Sequence, residues 1–232
     1  MVHRISFRVG SEASLDFWTE RLAAESLSPE RDPRALRVAD PEGLGLELRV
    51  EDVQDEPLVA RHPEIPEEHA LQGFAGVRAF SSAPDASAAL LRDALGFEPD
   101  GEGWQVHGES RGSFYAYDTP PPDRGVPGAG TVHHVAWAST MEDHPAWRER
   151  VAKAGAQPTP VIDRFWFRSI YFREPSGVLF EIATLGPGFT TDEPLEHLGE
   201  SLVLPPAYEH LRSQVERILT PLPETRPVRT HS

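Results

Sequence analysis

The chain has 232 residues, 39% of them hydrophobic, a net charge of −15 and no cysteine. That length and composition suit a globular protein of one large or two small domains, and the negative charge disfavours nucleic acid, whose phosphates it would repel. Without thiols there is no disulfide frame and no thiolate ligand or nucleophile; no apolar run nears the roughly 20 residues that span a bilayer and the N-terminus shows no signal-peptide core, so the expected setting is the cytoplasm, with no membrane partner.

In chain order, residues 2–9 pattern as a strand, with Val2, Ile5, Phe7 and Val9 apolar. Ser11 or Ser14 can cap a helix over 15–25 that places Leu15, Trp18 and Leu22 on one face. Strands are expected over 35–39 and, beyond the turn at Asp40-Pro41-Glu42-Gly43, over 44–50. The same order returns with a strand at 76–81, a helix over 85–95 closed by Gly96, and strands at 104–107 and 113–117. It returns again with a strand from Val132, a helix over 143–154 closed by Gly155, and strands at 169–173 and 178–183. After Thr184 the chain reads as irregular to Pro206, then as a helix over 208–219 and a loose tail from Pro221. Three units therefore span 1–52, 73–118 and 131–185, with proline-bearing linkers at 53–72 and 119–130 and a C-terminal extension at 186–232.

The third unit carries the chemistry. It opens on Gly130-Thr131-Val132-His133-His134-Val135-Ala136-Trp137-Ala138 and closes on Arg173-Glu174-Pro175-Ser176-Gly177-Val178-Leu179-Phe180-Glu181-Ile182-Ala183-Thr184. Alternate strand residues share a face, so His134 and Glu181 point into one cavity if their strands lie in one curved sheet. A neutral imidazole and a carboxylate suit a divalent metal. Strict alternation sends His133 to the opposite face. Aligning the units places His3 where the third unit has His134, and Glu47 where it has Glu181; the middle unit has Ala75 and no glutamate.

The His-His-Val opening and the Pro-x-Gly-Val-x-Phe-Glu close resemble the vicinal oxygen chelate superfamily of glyoxalases, bleomycin resistance proteins and extradiol dioxygenases. The likeness is strongest to dioxygenases that open hydroquinone rings, and it extends to residues 163–173, to 186–193 and to 65–74. The resemblance implies an α+β fold of three βαβββ modules in curved, mostly antiparallel sheets. It also implies ring cleavage of a hydroquinone or catechol-like aromatic by O₂ at Fe(II), or alternatively Mn(II) or another divalent metal, held by His134 and Glu181. Tyr171 and Arg164 match positions that line the substrate pocket in those enzymes, and His133 matches one near the substrate. Such enzymes carry four units, and the start of this chain matches their second. The unit that supplies the other metal histidine is therefore expected to be absent, with His3 the candidate third ligand. Two further readings follow from the same fold. One is a glyoxalase-like metalloenzyme that also uses Glu47; the other is a metal-free small-molecule binder. A half-barrel exposes an apolar concave face, so units one and two are expected to close on each other. Unit three, left over, is expected to meet a second copy in a homodimer.

Overall fold

The computed structural model describes residues 1–220 apart from 102, 124 and 127, so the tail expected from Pro221 lies outside the described residues. The element order repeats three times. The first pass is β1 (Val2–Arg8), α1 (Glu12–Ala24), β2 (Glu30–Asp32), β3 (Ala35–Ala39) and β4 (Gly45–Arg49). The second is β5 (Phe74–Phe80), two short helical turns, β6 (Glu98–Asp100), β7 (Gly103–His107) and β8 (Gly112–Asp118). The third is β9 (Val135–Ser139), α2 (His144–Lys153), β10 (Ile162–Asp163), β11 (Phe167–Arg173) and β12 (Leu179–Pro187). The C-terminal helix expected over 208–219 is divided into a 3-10 stretch (Pro206–Leu211) and α3 (Arg212–Ile218). No helix among the described residues is long and apolar enough to cross a membrane.

Local chemistry accounts for these elements. The Ser11 hydroxyl accepts the Ser14 N–H at 3.2 Å, which satisfies one of the donors left open at the start of α1. Leu15 on that helix is fully buried, with Trp18 and Leu22 packed beside it. Gly155 ends α2 in the left-handed region at φ 87°, where a side chain would be strained. The helix expected over 85–95 is not a regular one. A 3-10 turn (Pro84–Ser87) leads into a wider π turn (Leu90–Ala94), in which the Leu95 N–H reaches the Leu90 carbonyl at 3.1 Å. The wider turn lets Leu90, Leu91, Ala94 and Leu95 all face the core.

In each pass the first strand pairs in parallel with the last: β1 with β4, β5 with β8, β9 with β12. The remaining neighbours are antiparallel, so the sheets are mixed. The first two passes join through antiparallel β1 and β5 into one eight-stranded sheet, in the order β2-β3-β4-β1-β5-β8-β7-β6. The third pass forms a separate sheet in the order β10-β11-β12-β9, which leaves β9 at an edge. This is an α+β fold built from βαβββ modules.

The larger core lies between passes two and three. It gathers Leu91, Tyr115, Val151, Ile170, Phe172 and Phe180. The Tyr115 ring meets Phe180 edge-on at 5.1 Å, a geometry that adds to area burial. Beside it the Glu174 carboxylate, 1% exposed, accepts from Ser87 Oγ (2.5 Å), the Tyr117 hydroxyl (2.9 Å) and the N–H groups of Ser176 and Val178. A buried carboxylate so supplied with donors ties the β11–β12 turn to the second pass.

The face of the eight-stranded sheet away from α1 is charged, where an apolar surface was expected. Arg37 bonds Glu47 there, and Arg78 holds Asp118 with two hydrogen bonds of 2.7 and 2.6 Å. Those bonds, with a further one from His3, hold the Asp118 carboxyl down at about 2. A carboxylate whose folded pKa lies below its unfolded value of about 3.9 stabilises the fold fully above that pH. The contribution is lost as pH falls toward the folded value. Asp118→Asn is therefore expected to flatten the acid limb of the stability curve between about pH 4 and pH 2. An unchanged limb in denaturant titrations would exclude Asp118 as an acid-sensitive anchor.

Candidate active site

Glu181 lies in β12 opposite Tyr171 of β11 and Ala136 of β9. Its neighbours Phe180 and Ile182 enter the core, so strand alternation turns Glu181 to the other face. The small side chain of Ala136, exposed opposite the carboxylate, leaves that face open. His134 stands just before β9. Its Nε2 is 2.7 Å from Glu181 Oε2. The Tyr171 hydroxyl donates to the other oxygen, Oε1, also at 2.7 Å. The Glu181 side chain is 4% exposed and that of His134 is 32% exposed. The result is a buried carboxylate with an imidazole at its mouth and a phenol on its flank.

Arg164 is placed by a tight turn between β10 and β11. Its N–H bonds the Phe167 carbonyl at 2.9 Å. Phe165 holds φ 74°, unusual for a non-glycine residue, and its N–H is taken by Asp163 Oδ1 at 2.8 Å. The guanidinium lies over the Tyr171 ring at 5.6 Å, within cation–π range. Its Nη2 is 3.5 Å from the Tyr171 hydroxyl.

His133 does not point away. Its Nδ1 is 2.9 Å from Nδ1 of His134. Strand structure begins only at Val135, so the alternation that sent His133 to the far face does not govern it. The contact ties the two rings' protons together. With a proton on His134 Nε2 facing the carboxylate, Nδ1 accepts from His133. With Nε2 given to a cation, Nδ1 carries the proton and donates instead.

His3, the candidate third ligand, does not join the pair. Its Nε2 is 2.8 Å from Asp118 Oδ2, and its ring stacks on Phe80 at 3.9 Å. Glu47 is equally committed elsewhere: it accepts from Ser6 Oγ at 2.7 Å and Arg37 Nε at 2.9 Å. Among the described residues, no group of three or more His, Cys, Asp or Glu is placed to hold a metal ion. The donor chemistry of His134 and Glu181 nevertheless fits a divalent cation. A nitrogen and an oxygen converge on one point at the rim of an open face, and Tyr171 and His133 orient them as outer partners.

Two contacts near the site carry no local sequence signal. Thr159 clamps Tyr171 from both sides: its Oγ1 accepts the Tyr171 N–H at 3.1 Å and its N–H bonds the Tyr171 carbonyl at 2.9 Å. Trp166 Nε1 donates to Asp192 Oδ1 at 2.8 Å, which joins the Arg164 turn to the segment after β12.

Known proteins resemble the chain as a whole. The model of the glyoxalase/bleomycin resistance protein/dioxygenase superfamily matches residues 73–182. The candidate ring-cleaving dioxygenase MhqO of Bacillus subtilis (strain 168) is 39% identical over 219 residues, covering 90% of this chain and 70% of the relative. The chlorohydroquinone/hydroquinone 1,2-dioxygenase of Sphingobium indicum is 29% identical over 224 residues, covering 89% and 69%. The crystal structure of a candidate dioxygenase from Bacillus subtilis superposes with a TM-score of 0.84 at 36% identity, covering 96% of this chain and 74% of that one.

Proposed function

The chain belongs to the glyoxalase/bleomycin resistance protein/dioxygenase superfamily, and from that premise we propose that it is a ring-cleaving dioxygenase acting on a hydroquinone or catechol-like aromatic. The observation that carries the reading is the convergence of His134 Nε2 on the buried Glu181 carboxylate, with Tyr171 bonded to the same carboxylate. The relatives named for ring cleavage, one of them for hydroquinone itself, support the substrate class.

In this reading His134 and Glu181 hold a divalent metal, Fe(II) or Mn(II). When bound, the metal supplies a path for electrons between the aromatic ring and O₂. The chain does the rest. Glu181 brings negative charge that is shielded from water. Tyr171 is placed to turn its hydroxyl from Glu181 to a substrate oxygen. Arg164, beside that hydroxyl, favours the ionised form of the substrate. His133 takes or gives the proton on His134 Nδ1, which keeps the imidazole aimed at the cation. The setting is cytoplasmic. Tyr171→Phe is expected to lower ring cleavage on the order of 10²-fold, the low end for a positioned proton donor, with metal content unchanged. Full activity in oxygen-uptake assays would remove Tyr171 from the chemistry.

The site needs further ligands, and the open edge suggests their source. β1 and β5 show how two such modules join along their first strands, while β9, the equivalent strand, lies at an edge. On the Glu181 side of β12, Leu185 is 76% exposed. We place a second copy of the chain against this face, as a two-fold dimer. Light scattering at micromolar concentration is expected to give twice the chain mass, with metal content falling on dilution into monomers. A monomer that keeps stoichiometric metal would contradict the arrangement.

A further inference from the structure

A cavity of about 700 Å³ opens on the charged face of the eight-stranded sheet, and none of its lining residues belongs to the His134–Glu181 site. Arginines dominate its wall: Arg4, Arg34, Arg37, Arg49 and Arg78 stand against only two carboxylates, Glu47 and Asp118. On a chain of net charge −15 the lining itself carries more arginine than acid, while Asp52, Asp32 and Glu51 pair with Arg34, Arg37 and Arg49 from the rim. A register shift in β1 between Val2 and Arg4 brings His3 and Arg4 together onto this wall.

The two carboxylates are already committed. Glu47 serves Ser6 and Arg37, and Asp118 serves Arg78 and His3. Of the acids that reach in from the rim, Glu51 on Arg49 is also bonded by Arg8, and the other two hold less firmly. Asp52, bonded to Arg34, and Asp32, bonded to Arg37, have side chains 86% and 54% exposed. Exposed pairs of this kind contribute little and yield to a better-placed anion. Arg4 has no acidic partner among the described residues. Phe80, with the His3 ring stacked on it, adds a flat apolar wall beside the guanidinium groups.

We propose that this cavity binds a small unsaturated carboxylate, its acid group on Arg4 and the rim arginines and its planar body along Phe80. The planar guanidinium fork matches a carboxylate, and a flat hydrocarbon gains from the aromatic wall where a phosphate does not. A ring-opened acid is a molecule of this class. That link rests on the dioxygenase reading; the binding itself does not.

Isothermal titration of the full chain, stripped of metal by chelation, tests this with muconate, its uncharged dimethyl ester and inorganic phosphate. Muconate is expected to bind one per chain, with the ester and phosphate each at least about tenfold weaker. Arg4→Gln, which breaks no ion pair, is expected to weaken muconate about tenfold, the scale of one charge-assisted hydrogen bond. Arg34→Gln on the exposed rim provides a second variant, and Glu181→Gln should leave binding unchanged. Absence of saturable binding, phosphate binding as tightly as muconate, or indifference to both arginine variants would overturn the proposal. Loss of binding in Glu181→Gln would place the ligand at the other site and overturn it equally. None of these outcomes bears on whether the chain cleaves rings.

Discussion

Replacing Glu181 with glutamine is expected to abolish metal retention and ring cleavage together while the fold survives. The amide keeps both present contacts: its oxygen accepts from the Tyr171 hydroxyl and its NH₂ donates to His134 Nε2, the two groups now at 2.7 Å. Stability should therefore move by no more than the roughly 0.5–1.5 kcal/mol of one hydrogen bond. What is lost is the charge that a divalent cation requires at this buried position. The fall in metal affinity should exceed the ~10–100-fold that losing an outer partner costs. His134→Ala is expected to act in the same direction. Metal analysis by mass spectrometry, beside thermal unfolding, separates the two effects. A Glu181→Gln protein that keeps its metal and its activity would reduce the pair to a structural ion pair.

Phe180→Ala is expected to be the most damaging core change. The ring is fully buried one residue before Glu181. It touches Tyr115 of the second pass at 5.1 Å, and Trp137 and Phe172 of the third at 5.5 and 5.9 Å. It thus sits at the seam between two modules whose sheets share no strand pairing. Truncating a buried phenylalanine costs about 3–5 kcal/mol. At roughly 2–4 °C per kcal/mol for a chain of this size, the melting temperature should fall about 6–20 °C. A change within about 1 kcal/mol, the range of tolerated apolar swaps, would mean that the seam is not a packed core.

The threefold order of elements was legible because each module marks itself. A Pro-x-Gly turn precedes the last strand of the first and third, and glycine closes the helical segment of the second and third. The His134–Glu181 proximity was legible for the same reason, since strand alternation around Phe180 and Ile182 determines where Glu181 points. The reading weakened wherever a partner was distant in sequence. His3 resembles a ligand by position, but its environment is set by Asp118, 115 residues away. The charged face of the eight-stranded sheet is assembled from arginines and carboxylates of separate strands, and no local pattern announces their pairing. His133 turns toward His134 rather than away because strand alternation begins only at Val135, the start of β9. Residues 85–95 depart from the expected α-helix because a run of leucine and alanine fits an α-helix and a π turn alike, and the core they face selects the π turn.

In the proposed reaction both atoms of O₂ enter an aromatic ring at a metal held by His134 and Glu181. Incubation of the Fe(II)-loaded protein with hydroquinone under isotopically labelled dioxygen, followed by mass spectrometry of the products, addresses it directly. A ring-opened acid carrying two labelled oxygens is the expected product, absent in Glu181→Gln. Recovery of unlabelled quinone, or of unchanged hydroquinone from protein that has kept its iron, would contradict it.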